Sequence, residues 1–137
     1  MKITPWLLAS RPKTLPAALS PVLIGTALAF GDGKGHWPSA ILAAVAALLL
    51  QIGANYANDY YDFISGADDK KRLGPTRATS AGLVKPEAMK RAFIFIFALA
   101  SIAGAYLVVR GGWPIALVGV LAIASAVLYT GGPFPLG

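Results

Sequence analysis

Cysteine is absent, so disulfides and thiolate metal sites are both excluded. Histidine occurs once, as His36 in a short polar stretch with no partner nearby, and is assigned no role. No Ser/His/Asp set and no Gly-rich phosphate loop ending in lysine can be found. Charge is also scarce. Only 13% of the 137 residues are charged, against about 25% in soluble domains. Acids are the rarest: Asp32, Asp59, Asp62, Asp68, Asp69 and Glu87 are all six. What fills the chain is apolar, 56% of residues, and this composition is that of a membrane protein.

The net charge of +6 does not indicate a nucleic-acid partner, because the cations are bunched. Of twelve Lys and Arg, seven lie within 70–91: Lys70, Lys71, Arg72, Arg77, Lys85, Lys90 and Arg91. Apolar runs flank this stretch. Four runs are expected to form spans, over 15–30, 37–58, 92–109 and 113–129. A span takes about 20 residues, so the second and third fit and the first and fourth borrow flanking residues. Trp6, Trp37, Trp113 and Tyr129 stand near run ends, where interfacial aromatics belong. The predicted fold class is all-α, a multi-pass transmembrane bundle of about four helices forming one membrane domain over 1–137. Lys2, Arg11 and Lys13 precede the first span, and the loop at about 62–91 is strongly basic. The other two loops hold only Lys34 and Arg110 beyond neutral residues and Asp32. By the positive-inside rule the N-terminus and the basic loop are expected on the cytoplasmic side of a cell (inner) membrane. A secretory signal peptide is the competing reading of the first span, given Ala27-Leu28-Ala29. Pro12, Pro16 and Pro21 oppose it, and cleavage would upset the charge alternation.

Asn55, Asn58, Asp59 and Asp62 follow an i, i+3, i+4, i+7 pattern near the end of the second run. That spacing puts them on one helix face, with Gln51 one turn earlier. A carboxylate costs about 2.5–3.5 kcal/mol at a bilayer-spanning helix centre, so a polar stripe here points to function. Asp59 and Asp62, one turn apart, can converge on a cation. Mg²⁺ takes a few carboxylates together with substrate phosphate oxygens. Asn58 and Asn55 add amide oxygens or phosphate hydrogen bonds. Beyond them, Arg72 and Arg77 can grip phosphate bidentately. Lys70 and Lys71 suit either phosphate contact or topology, and Asp68 is a further candidate metal ligand, with Asp69 an ion-pair partner for the lysines. Arg11-Pro12-Lys13-Thr14 suits either headgroup or phosphate contact. Tyr56, Tyr60 and Tyr61 could shield a carbocation or simply mark an interface.

The sequence resembles the UbiA superfamily of intramembrane aromatic prenyltransferases, and within it the 1,4-dihydroxy-2-naphthoate branch. Asn58-Asp59-Tyr60-Tyr61-Asp62 followed by Gly66-Ala67-Asp68 is similar to its first Asp-rich motif. Arg72-Leu73-Gly74-Pro75-Thr76-Arg77 and Gly82-Leu83-Val84 continue the likeness, as do Ser10-Arg11-Pro12-Lys13-Thr14 and Tyr129-Thr130-Gly131-Gly132-Pro133. The resemblance implies Mg²⁺ as cofactor, polyprenyl diphosphate and 1,4-dihydroxy-2-naphthoate as substrates, and membrane lipid as surroundings. It implies Asp59, Asp62 and Asn58 as catalytic residues. One departure is large: the family's second Asp-rich motif has no counterpart here. The chain therefore looks like the N-terminal half of such an enzyme, expected to be inactive without the other half. A 4-hydroxybenzoate prenyltransferase and a non-catalytic four-helix membrane protein are the alternatives. A transporter would need paired broken helices in two repeats, which the sequence lacks.

Overall fold

The structure is a computed structural model, and it describes residues 3–66 and 76–131. Within these residues the chain is helical and has no strand. Helix α1 spans Thr4–Ser10 and a 3-10 turn spans Pro12–Thr14. Then come α2 (Leu15–Gly31), α3 (Trp37–Ser65), α4 (Pro86–Gly111) and α5 (Trp113–Leu128). Prolines mark the starts. Each of the five α-helices carries one in its first two positions, where the missing N–H has no partner to lose.

The first expected span gains its extra length from α1. Together with the turn and α2 it forms a broken element, Thr4–Gly31, and this element, α3 and α4 are each long and apolar enough to cross a membrane. The break lies at Arg11, the one non-glycine among the described residues with positive φ (49°). A left-handed residue of this kind costs about 1–2 kcal/mol. Thr14 offsets part of it, donating its N–H and its hydroxyl to the Arg11 carbonyl, both at 2.9 Å.

Helix α3 runs further than its apolar stretch. Its 29 residues rise about 44 Å, more than the roughly 30 Å of bilayer hydrocarbon. Asp59 and Asp62 are thus inside the helix, which runs to Ser65, past the expected loop start near 62. Helix α4 likewise starts six residues before its apolar run, because Pro86 and Glu87 suit a first turn. The fourth run stays short. Sixteen residues in α5 rise about 24 Å, with two more helix-type bonds, Tyr129 to Ser125 and Gly131 to Val127, after them.

Helix α3 is the centre of the bundle. It packs against α1, α2, α5 and most extensively α4. Small residues let α3 and α4 approach, as is usual where helices pack in lipid. Ala57 of α3 is fully buried, and so is Met89 of α4. A Cβ at Gly53 would lie 2.6 Å from Phe97 Cε1. Phe97 is itself buried and stacks edge-on with Phe93, so it has little room to retreat. The outer faces are apolar: Leu23, Ile94, Val109 and Val118 are all exposed, which suits lipid contact. Replacing Gly53 by Val should force α3 and α4 apart at a cost of about 1–3 kcal/mol. Thermal unfolding in detergent should show a lower midpoint, partly restored by adding Phe97→Leu. An unchanged midpoint would contradict this contact.

Candidate active site at the end of α3

The polar stripe of α3 gathers three distant parts of the chain. Gln51 and Asn55 reach the N-terminal break. The Asn55 side-chain amide donates to the Ser10 carbonyl at 2.8 Å and to Thr14 Oγ1 at 3.0 Å. Gln51 Nε2 donates to the same Thr14 hydroxyl at 3.3 Å. Tyr56 adds a third tie, its hydroxyl donating to the Trp6 carbonyl at 3.2 Å while its ring stands edge-on to Trp6. Asn55 is buried, and its side-chain nitrogen is committed to fastening α1 and the 3-10 turn.

Asp59 holds a second part. Its two carboxylate oxygens accept the backbone N–H groups of Ala78 and Thr79, each at 2.9 Å. Successive N–H groups on one anion form a small nest. The segment can present them because it turns on itself: Ala81 donates to the Arg77 carbonyl, Leu83 and Val84 to that of Ala78. Gly82 at φ 70° permits the reversal. Asp62, one turn on, pairs with the Arg77 guanidinium. Asp59, Asp62, Arg77, Ala78 and Thr79 are all buried. A buried carboxylate needs hydrogen-bond donors or a countercharge; Asp59 has two backbone N–H donors and Asp62 has the Arg77 guanidinium.

Asn58 binds the third part. Its Oδ1 accepts the Thr130 hydroxyl at 2.8 Å, drawing the end of α5 to the stripe. Tyr60 and Tyr61 lie against each other and against Phe93 of α4, with centroids 5.1 to 6.0 Å apart. Their rings therefore join α3 to α4. Lys70, Lys71, Arg72 and Asp68, also expected at the site, lie outside the described residues, as does Asp69.

The spacing of the stripe left two contributors unseen. Thr79 is buried, and its Oγ1 has no hydrogen-bond partner among the described residues. Its place between Arg77 and Gly82 in a turn-rich segment was the available signal. His36, given no role above, caps α3 at the opposite end: its Nδ1 accepts the Ser39 N–H at 3.3 Å.

The donor set can be compared with Mg²⁺. Among the described residues no three His, Cys, Asp or Glu side chains cluster. Two carboxylates one turn apart remain, and each Asp59 oxygen, accepting one N–H, has a second lone pair to offer. This fits an ion that takes one or two carboxylates and completes its shell with water and substrate phosphate. The unspent Thr79 hydroxyl fits the same polar environment.

The UbiA prenyltransferase family matches residues 18–137. This chain belongs to that family. It is 44% identical over 133 residues to the 1,4-dihydroxy-2-naphthoate octaprenyltransferase of Mycobacterium tuberculosis, covering 96% of this chain and 45% of the relative. The protein of the same name in Escherichia coli is 40% identical over 138 residues, with the same coverage. UbiA prenyltransferase domain-containing protein 1 of Rattus norvegicus is 33% identical over 135 residues, covering 96% of this chain and 39% of the relative. The chain thus spans about half the length of the curated relatives it matches. No solved structure matches it.

Two substitutions test the site's architecture. Asp59→Asn leaves one oxygen to serve two N–H donors, so hydrogen exchange at Ala78 and Thr79 should accelerate about tenfold or more. Arg77→Ala removes a countercharge from the buried Asp62 carboxylate and should be destabilising, by up to about 3–5 kcal/mol. Adding Asp62→Asn should recover much of that loss in a denaturation series. Simple additivity of the two losses would show that the ion pair is not the relevant contact.

Proposed function

We propose that this chain serves the transfer of a polyprenyl group from a polyprenyl diphosphate to 1,4-dihydroxy-2-naphthoate, with release of diphosphate and CO2, giving demethylmenaquinol, the reduced form of demethylmenaquinone. The observation that carries the reading is the pair of buried carboxylates, Asp59 and Asp62, held one turn apart with the Arg77 guanidinium on Asp62. Membership of a prenyltransferase family and likeness to proteins named for this reaction support it.

In this reading Asp59 and Asp62, with Asp68, hold Mg²⁺. When bound, that ion offsets the charge of the diphosphate and makes it a better leaving group. Arg77 exchanges its bond to Asp62 for a phosphate oxygen of the donor, and Arg72, Lys70 and Lys71 take further oxygens. The allylic C–O bond of the donor breaks, and both its electrons leave with the diphosphate. The electron-rich naphthoate carbon attacks the allylic cation. Loss of CO2 from that carbon then restores the aromatic ring. Asn58 holds the end of α5 against the site, and Asn55 and Gln51 hold the N-terminal turn, so all three serve by positioning. The apolar cavity of about 340 Å3 between α3, α4 and α5, bordered by Leu50, Gly104, Gly119 and Ile123, offers space for an isoprenoid tail. A length of 44 Å for α3 favours a site at the membrane surface, and the cation bias favours the cytoplasmic face of the inner membrane. A second acidic wall, from the portion of the relatives beyond the matched half, would complete the catalytic pocket.

Turnover of labelled polyprenyl diphosphate with 1,4-dihydroxy-2-naphthoate, in membranes carrying the intact protein, tests the proposal. Asp59→Ala and Asp62→Ala should each lower Mg²⁺-dependent turnover by about a hundredfold or more. Arg72→Ala should chiefly raise the donor KM. Full turnover in both aspartate variants would remove the metal assignment. Preference for 4-hydroxybenzoate in the same assay would change the acceptor. Donor binding without any turnover would favour a non-catalytic protein.

A further inference from the structure

The end of the bundle opposite the aspartates holds a cavity of about 460 Å3. It lies where α2 and α4 finish and α3 and α5 begin. Trp37 and Asp59 are 22 positions apart on α3, about 33 Å along its axis, so the cavity is a full membrane thickness from the carboxylates. Its walls are partly apolar, with Phe30, Leu107 and Ile115 among them. Lys34, His36 and Arg110 also line it, and no acid does. Asp32, two residues from Lys34, is not part of the wall.

This concentration of cations is unexpected. The two loops at this end hold just two Lys or Arg between them, Lys34 and Arg110, and both line the same cavity. They come from segments 76 positions apart in the chain. The backbone under Lys34 is fixed by three bonds, Asp32 to Leu28, Gly33 to Phe30 and Lys34 to Ala29, with Gly33 at φ 70°. His36 is fixed by its cap. With Nδ1 accepting from Ser39, the neutral ring carries its proton on Nε2, a donor for an oxyanion. Trp37 and Trp113 stand exposed at the same level, and Trp37 packs on Phe30 with centroids 4.6 Å apart. Exposed tryptophans mark the headgroup level of a bilayer.

We propose that this cavity is a binding site for an anionic phospholipid, its phosphate held by Lys34, Arg110 and His36 and its acyl chain lying on the apolar wall. A free phosphate would use the cations but gain nothing from Phe30, Leu107 and Ile115. A zwitterionic lipid would use the wall but bring its own cation toward Lys34 and Arg110. The combination favours a lipid with net negative charge. The site is separate from the aspartates and does not rest on the prenyl-transfer reading.

Native mass spectrometry of the intact protein, released from nanodiscs of mixed phosphatidylglycerol and phosphatidylcholine, tests this. Phosphatidylglycerol should be retained in preference to phosphatidylcholine. Lys34→Gln with Arg110→Gln should weaken that retention roughly 30-fold, at about tenfold or less per cation. Lys34→Arg with Arg110→Lys should preserve it. Prenyl transfer, or donor binding, should persist in both double variants. Unchanged retention in the Gln pair, or no preference between the lipids, would overturn the proposal. Displacement of the lipid by millimolar inorganic phosphate would point to a free anion and overturn the choice of lipid. If the Gln pair fails to fold, a photoactivatable phosphatidylglycerol headgroup on the unaltered protein decides: labelling at 34–39 and 110–115 supports the site, and labelling elsewhere refutes it.

Discussion

Two carboxylates buried on one face of α3 govern the structure around them. Away from water, each must find donors or countercharge, and the chain supplies both from a single short turn. Asp59 takes two consecutive backbone N–H groups, and Asp62 takes the next cation, Arg77. Meeting those demands folds the 77–84 segment down onto α3, and with it buries Ala78 and Val84. The same face then collects the N-terminal turn through Asn55 and the end of α5 through Asn58. One end of the bundle is therefore cross-linked by polar contacts that all converge on α3. Elsewhere the helices meet through small side chains and aromatic rings, which hold them in lipid without fixing a polar network.

This arrangement links stability to chemistry. The groups that neutralise the carboxylates in the structure have the same chemistry as the groups a diphosphate would need. Arg77 can serve Asp62 or a phosphate oxygen, and the second lone pairs of the Asp59 oxygens suit a hard cation. The ion pair costs desolvation for both partners, so it contributes little net stability, although losing one member alone is expensive. Partners balanced in this way can be exchanged at modest cost. The far end of the bundle has the opposite character, with an open cavity lined by Lys34, Arg110 and His36 and no acid in its wall.

Much of this was legible in the residues alone. The period of 3.6 placed Gln51, Asn55, Asn58, Asp59 and Asp62 on one face, and they are on one face. Apolar runs located α2, α3, α4 and α5, because a segment that meets lipid must be apolar all round. Their ends were less visible. Helix α3 continues to Ser65 and α4 begins at Pro86, since polar residues are helical there once the protein's own contacts, rather than lipid, surround them. Asn55 and Asn58 looked like substrate contacts. Their partners are Ser10, Thr14 and Thr130, between 41 and 72 positions away, and periodicity carries no information about such distances. Thr79 was passed over and His36 was given no role for the same reason, as one lies in a turn and the other in a loop.

The sequence by itself determined the membrane character, the helical class, the polar stripe and the likeness to a prenyltransferase family. Each follows from local composition, spacing or motif, all of which are written along one stretch of chain. Tertiary structure decided which groups satisfy the buried carboxylates, how the N-terminal break and the end of α5 are tied to α3, and that Lys34, His36 and Arg110 share a cavity. Those outcomes depend on the packing of α3 against four other helices. A buried charge fixes how much compensation is needed, but only the fold determines which residue is near enough to give it.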